Sequence, residues 1–136
     1  MGSTEVILLD TQVLVWVVSD PERLSRPAAS AIRRARVSDG MAVSAITLWE
    51  LAMLFARGKL ERYESIEASV SLILHKSAVV VKPISVAVAT LAAQFPPDYP
   101  RDPADRLIGA TARAEGIPLL TRDERIRSSP LLNTIW

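Results

Sequence analysis

The stretch VILLDTQVLVW, residues 6–16, decides the fold class. Val6–Leu9 is a continuous apolar run, the pattern of a strand covered on both faces rather than one. It stops at Asp10, an acid suited to cap a helix that starts at Thr11. Strand, acid and helix in immediate succession open a βα unit. Three further runs repeat the strand pattern at Met41–Val43, Ala78–Val81 and Pro118–Leu120, each expected to be buried, and Thr134–Trp136 adds an edge strand.

Helical stretches separate these runs. Pro27–Arg36 starts on a first-turn proline. Ser44–Arg57 begins at a serine cap and stops at Gly58, and Ser65–His75 places Ile66, Val70, Ile73 and Leu74 on one face. Ser85–Gln94 and Pro103–Glu115 follow, the latter ending before Gly116. Strands joined by helices of this length need crossover connections, so the predicted class is α/β with a central parallel sheet of four to five strands. Phe95–Asp102, with prolines at 96, 97 and 100, is the one long loop, and residues 1–136 are expected to form a single domain.

Composition narrows the chemistry. The 136 residues are 49% apolar and 23% charged, a globular balance. Sixteen Lys and Arg against fifteen Asp and Glu leave a net charge of +1, so bulk charge marks neither a DNA-coating protein nor an acidic binder. Aromatics, at 5%, are too few for a row of base-stacking side chains. With no cysteine, disulfides, iron–sulfur clusters and thiolate zinc sites are excluded, and a lone histidine, His75, excludes a multi-histidine metal site. His75 is expected to be structural. The most apolar stretch is broken by Asp10 and falls short of the ~20 residues of a spanning helix. A cytoplasmic protein with no membrane association is expected.

The chemistry therefore rests on carboxylates, hydroxyls and basic side chains. Open parallel sheets present their ligands at the carboxyl ends of the strands. Asp10 follows the first strand directly, and Asp123 comes just after Leu120. Glu50 lies within the helix after Met41–Val43, and Asp105 lies in the first turn of the Pro103 helix. Each acid also reads as ordinary helix-start grammar: Asp10 and Asp102 as caps, Thr121-Arg122-Asp123-Glu124 as a capping box, Glu50 as a solvated helix residue. Gathered at one sheet edge, four carboxylates would raise one another's pKa values unless a cation were present. Oxygen-only ligands select a hard ion, Mg²⁺ or Mn²⁺.

At these residues the chain resembles PIN-domain ribonucleases of the VapC toxin type. The matching stretches are LLDTQVLVW at 8–16, SAITLWELAMLFARGKL at 44–60 and RDPADRLIGATARAEGIPLLTRD at 101–123. The resemblance implies a three-layer α/β/α sandwich and a catalytic, metal-binding quartet of Asp10, Glu50, Asp105 and Asp123. It also implies dependence on Mg²⁺ or Mn²⁺, cleavage of RNA, a homodimer able to join a larger complex, and an antitoxin that blocks the site. Three positions depart from the pattern. Gln12 stands where a histidine is frequent and cannot titrate, Leu54 stands where a lysine is frequent, and Ala104 replaces an aromatic.

Around the quartet, Thr11 and Thr121 are expected either to orient a carboxylate or to cap a helix. Arg101, Arg106, Arg122 and Arg125 flank the acids and either contact RNA phosphates or neutralise their neighbours. Arg57, Lys59 and Arg62 extend the RNA path beside Glu50. Leu48, Leu51, Met53, Leu54 and Phe55 surround their helix too completely for one buried face, marking residues 48–74 as a partner surface. Trp16 and Trp49 are expected in the core. Two other readings stay open: a PIN-like module that binds RNA or protein without cutting, favoured by Gln12, and a phospho-accepting Asp10, disfavoured by the absence of an acid two residues later.

Overall fold

A computed structural model of the chain describes residues 6–136. Five short strands, β1 (Ile7–Leu9), β2 (Met41–Ser44), β3 (Val80–Lys82), β4 (Leu119–Leu120) and β5 (Thr134–Ile135), form one sheet in the order β3-β2-β1-β4-β5. Every pairing is parallel. The connections are α1 (Thr11–Ser19), α2 (Arg26–Arg36), α3 (Ala45–Ala56), α4 (Ile66–Ser77), α5 (Val86–Gln94), α6 (Pro103–Glu115) and α7 (Glu124–Arg127), with a 3₁₀ turn at Pro21–Arg23. Each of these seven α-helices starts on a serine or aspartate whose side chain accepts a backbone N–H of the first turn. Free N–H groups at helix starts are thus satisfied by local sequence alone.

The two faces of the sheet carry separate cores. Ile7, Leu9, Met41, Val43 and Leu120 point to one side, where α1–α4 contribute Leu14, Ile32, Leu51 and Ile73. Leu8, Ala42 and Leu119 point to the other, against Val88 and Ala92 of α5, Ile108 of α6 and Ile126 of α7. Alternate residues of β1, β2 and β4 are buried on opposite faces, which is why these strands read as unbroken apolar runs. The result is a three-layer α/β/α sandwich, as the resemblance implied.

Two expectations need correction. The third run is not a strand buried on both faces: β3 is the outer strand of the sheet, and Val80 is 59% exposed. Its start is also later, because α4 continues past His75 to Ser77, whose hydroxyl donates to the Ile73 carbonyl at 2.8 Å, and Ala78 then ends the helix in the left-handed region. His75 itself is exposed. Trp49 is not a core residue either; it is 58% exposed. Helix α3 turns Thr47, Leu51 and Phe55 inward at four-residue spacing, and a residue two positions from Thr47 lies about 200° round the helix. Trp16, by contrast, is buried.

Candidate active site

The strand order reverses at β1: the chain moves outward through β2 and β3, then returns to β4 on the other side. In such sheets the crevice beyond the carboxyl ends of the strands at the switch point is where ligands bind. Leu9 pairs with Leu120, so Asp10 and Thr121 leave adjacent strands in step. Thr121 Oγ1 donates to Asp10 Oδ2 at 2.7 Å, and the Asp123 N–H donates to Thr121 Oγ1 at 3.1 Å. Asp10 Oδ1 meanwhile accepts the Thr11 N–H at 2.8 Å, capping α1. Both oxygens of Asp10 are therefore fixed.

A matching relay holds Glu50. Thr11 Oγ1 donates to Glu50 Oε1 at 2.5 Å and lies 2.9 Å from Thr47 Oγ1. With the single Thr11 hydroxyl proton committed to Glu50, Thr47 is the donor to Thr11. Thr11, Thr47 and Thr121 are all buried. The two threonines that could have been mere helix caps are instead joined to carboxylates, and the capping roles fall to Asp10 and Asp123.

Asp105 enters from α6, whose first turn is set by the Asp102 cap and Pro103. The loop before it is braced from two sides. The Tyr99 hydroxyl donates to the Asp105 backbone carbonyl at 3.2 Å. The Arg106 guanidinium donates to the carbonyls of Ala92, Phe95, Pro96 and Tyr99 at 2.9–3.4 Å. Arg106 was expected to face RNA or an acid; its guanidinium is engaged by the loop. Gly109 lets this brace form, because a Cβ there would collide with the Tyr99 hydroxyl.

Asp123 accepts from the Arg125 N–H at 2.9 Å and from its guanidinium at 2.7 and 3.2 Å. The same guanidinium stands 4.0 Å from Asp105. Arg125 holds the Asp123 carboxyl below the ordinary aspartate range, chiefly through that hydrogen bond. The others move the opposite way. Burial pushes Asp10 up, against the pull of Thr121 and Thr11, with the charge of Asp123 adding to the rise. Burial likewise raises Glu50, again with Asp10 contributing. Asp105 is pushed up to about 7, first by burial and then by the charges of Asp102, Asp10, Asp123 and Glu50. The site is a concentration of negative charge that lacks enough internal cation to balance it.

Asp10, Glu50 and Asp105 line one cleft of about 590 Å³ together with Gln12, Trp49, Met53, Leu54, Arg57 and Lys59. Asp123 lines a neighbouring cavity with Asp10, Gln12, Val13, Trp16 and Arg122. Arg101 is exposed and lines neither, and Arg62 is exposed outside the cleft. Sequence reasoning treated Asp102 as a cap alone. It is the cap, accepting the Ala104 N–H at 3.1 Å, and its charge also acts on Asp10, Glu50 and Asp105. Its position three residues before Asp105 was the available signal.

The donor set fits a hard divalent cation. Every candidate ligand is a carboxylate oxygen, and their mutual repulsion is what a cation would relieve. Among the described residues no three acids stand close enough to hold an ion between them.

Comparison with known proteins identifies the family of the chain. The family model described as PIN domain matches residues 7–130. Ribonuclease VapC22 of Mycobacterium tuberculosis is 38% identical over 136 residues, covering 96% of this chain and 98% of that protein. Two solved structures share the fold at low identity. One is VapBC2 from Rickettsia felis bound to a fragment of promoter DNA (TM-score 0.70, 18% identity, 95% of this chain and 96% of that one). The other is DNA-bound VapBC from Salmonella typhimurium (TM-score 0.68, 17% identity, 94% and 95%). Matched from β1 to beyond α7, and with a relative more than a third identical end to end, the chain belongs to the PIN-domain family and, within it, to the VapC group.

Proposed function

We propose that this protein is an Mg²⁺- or Mn²⁺-dependent endoribonuclease, a toxin that hydrolyses RNA phosphodiester bonds in the cytoplasm and is restrained by an antitoxin protein. The observation that carries the reading is the acidic cleft at the sheet's switch point, where Asp10, Glu50 and Asp105 arrive from three separate elements. The kinship with a protein named as a ribonuclease supports it.

Asp10 and Asp105 are the residues that would hold the ion directly, with Glu50 and Asp123 binding directly or through water. A bound ion would supply polarisation of the scissile phosphate and a lowered pKa for a water at the site. The chain's own residues do the rest. Thr121 and the Thr11 N–H hold the two oxygens of Asp10 in one orientation, so that little rearrangement is needed. Thr11 does the same for Glu50. Asp105, whose carboxyl is pushed up to about 7, would give up its proton as positive charge enters the cleft. Arg57 and Lys59 at the cleft, with exposed Arg101, attract the RNA backbone. Water adds to phosphorus and the bond to the 3′ oxygen breaks, leaving a 5′-phosphate and a 3′-hydroxyl.

The antitoxin reading rests on an apolar groove of about 260 Å³ between α1, the end of α3 and α4, lined by Val15, Val18, Phe55, Leu60, Tyr63 and Leu72. Val15 and Leu60 also line the acidic cleft, so a segment laid in the groove would reach the site. A homodimer belongs to the same proposal, and the exposed apolar side chains Val80, Ile84 and Val86 offer it a surface.

The test is cleavage of end-labelled total RNA by purified protein with Mg²⁺ or Mn²⁺ against excess chelator, beside Asp105→Asn. Discrete fragments that need the metal and vanish in the variant are expected. RNA bound but uncut with either metal would replace the nuclease with a binding module.

A further inference from the structure

We infer that the cavity on the far side of Asp10 is a nucleobase subsite, in which Arg122 supplies the stacking plane and Gln12 reads the edge of the base beside the scissile phosphate. The inference rests on the ribonuclease reading and adds to it the basis for choosing where RNA is cut.

The cavity measures about 370 Å³, at the small end of the ~300–1,000 Å³ of small-molecule sites. It shares Asp10 and Gln12 with the acidic cleft, so its occupant is an immediate neighbour of whatever the acids act on. Its chemistry favours a base over a phosphate. Asp10 and Asp123 on one side repel an anion, whereas a nucleobase is neutral.

On the other side stands a built platform. Trp16 is buried, with its ring centroid 5.8 Å from that of Trp136, so its plane is fixed. The Arg122 guanidinium stands 5.8 Å from the centre of the Trp16 ring, which Arg23 approaches at the same distance. Among the described residues that ring is the only partner found for Arg122, whereas Arg125 is bound to Asp123. A planar guanidinium held near an indole and exposed to solvent is a surface on which bases stack. Gln12, exposed in the first turn of α1, has no hydrogen-bond partner for its amide among the described residues. A carboxamide sets a donor and an acceptor side by side, the complement of the adenine N6 and N7 edge. The glutamine that removes a titrating group from this position thereby adds a base reader.

The experiment uses four short RNAs that differ only in the nucleotide flanking a mapped cut, with cleavage rates measured for wild type, Gln12→Ala and Arg122→Lys. Binding of the same RNAs in excess chelator is followed by fluorescence anisotropy, and matching thermal melts show that the variants fold. Wild type is expected to favour adenine at one flanking position by roughly tenfold. Gln12→Ala levels that ratio. Arg122→Lys retains the charge and the salt dependence but loses the plane, and the ratio falls with it. Equal ratios in all three proteins, or a wild-type preference for another base, overturn the inference while leaving the nuclease intact. Absence of wild-type cleavage overturns the nuclease reading instead. The chelator binding series then decides the subsite alone, by whether adenine affinity drops in both variants.

Discussion

Thr121 Oγ1 donates to Asp10 Oδ2 at 2.7 Å, joining residues 111 positions apart in the chain. The same oxygen accepts the Asp123 N–H, so one buried hydroxyl links two acids of the site to the switch point of the sheet. Thr121→Val keeps the shape, leaves the Asp123 N–H without its acceptor and removes the donor to Asp10. A loss of about 1–3 kcal/mol of stability is expected, read by denaturant unfolding. RNA cleavage should fall at least tenfold as Asp10 loses its orientation, a typical cost of removing such a support. Thr121→Ser restores the hydroxyl and should recover most of both.

Asp105→Asn should stabilise the metal-free protein at alkaline pH. The folded carboxyl titrates near 7 and the ordinary value is 3.8. Below about pH 4 both folded and unfolded chains carry the proton. Between 4 and 7 only the folded chain keeps it, so stability falls as pH rises, and above 7 the loss is complete. The amide avoids the loss. At pH 8 its gain is expected on the order of 2 kcal/mol, or about 7 °C in Tm, vanishing toward pH 4. Paired thermal melts in chelator across pH 4–8 measure it.

Arg106→Ala should cost stability rather than RNA affinity. Removing the guanidinium strips one α5 carbonyl and three loop carbonyls of a charged donor. A loss of about 2 kcal/mol is expected, and Arg106→Lys should not restore it, since an ammonium cannot span the same fan of acceptors. Arg57→Ala and Lys59→Ala should show the reverse pattern, with unchanged melting and a shallower salt dependence of RNA binding.

Gly109→Ala should loosen the same brace from the opposite side. The added methyl meets the Tyr99 ring carbon at 3.0 Å and a Phe95 ring carbon at 3.1 Å, besides the Tyr99 hydroxyl. Overpacking of this kind costs about 1–3 kcal/mol. The hydroxyl that supports the Asp105 carbonyl must move, so cleavage should fall together with Tm.

What was readable in the sequence follows from where each property is determined. Strand and helix succession is local: apolar runs buried on both faces and serine or aspartate caps are written residue by residue, and β1, β2 and β4 lie where the runs do. Burial at the sheet edge is not local. Ala78–Val81 looks like the inner runs, and only strand order makes β3 the outer one. Trp49 was misplaced because the apolar residues of α3 encircle it, leaving the inward face to be chosen by packing. At the site, the joint placement of the acids and the family resemblance pointed to Asp10, Glu50, Asp105 and Asp123, but nothing local showed that Arg106 turns back to the loop or that Asp102 adds a fifth charge. Those depend on how residues 95–102 fold over α6.

The most direct measurement is a calorimetric titration of Mn²⁺ into the metal-free protein and into Asp10→Asn, Glu50→Gln, Asp105→Asn and Asp123→Asn. Saturable binding by the wild type is expected, weakened most by Asp10→Asn and Asp105→Asn and less by the other two. Proton release should accompany binding near pH 7, as the raised Asp105 carboxyl ionises. Equal Mn²⁺ binding by all five proteins, or none by the wild type, would contradict the assignment of these acids as the metal centre of an RNA-cleaving site.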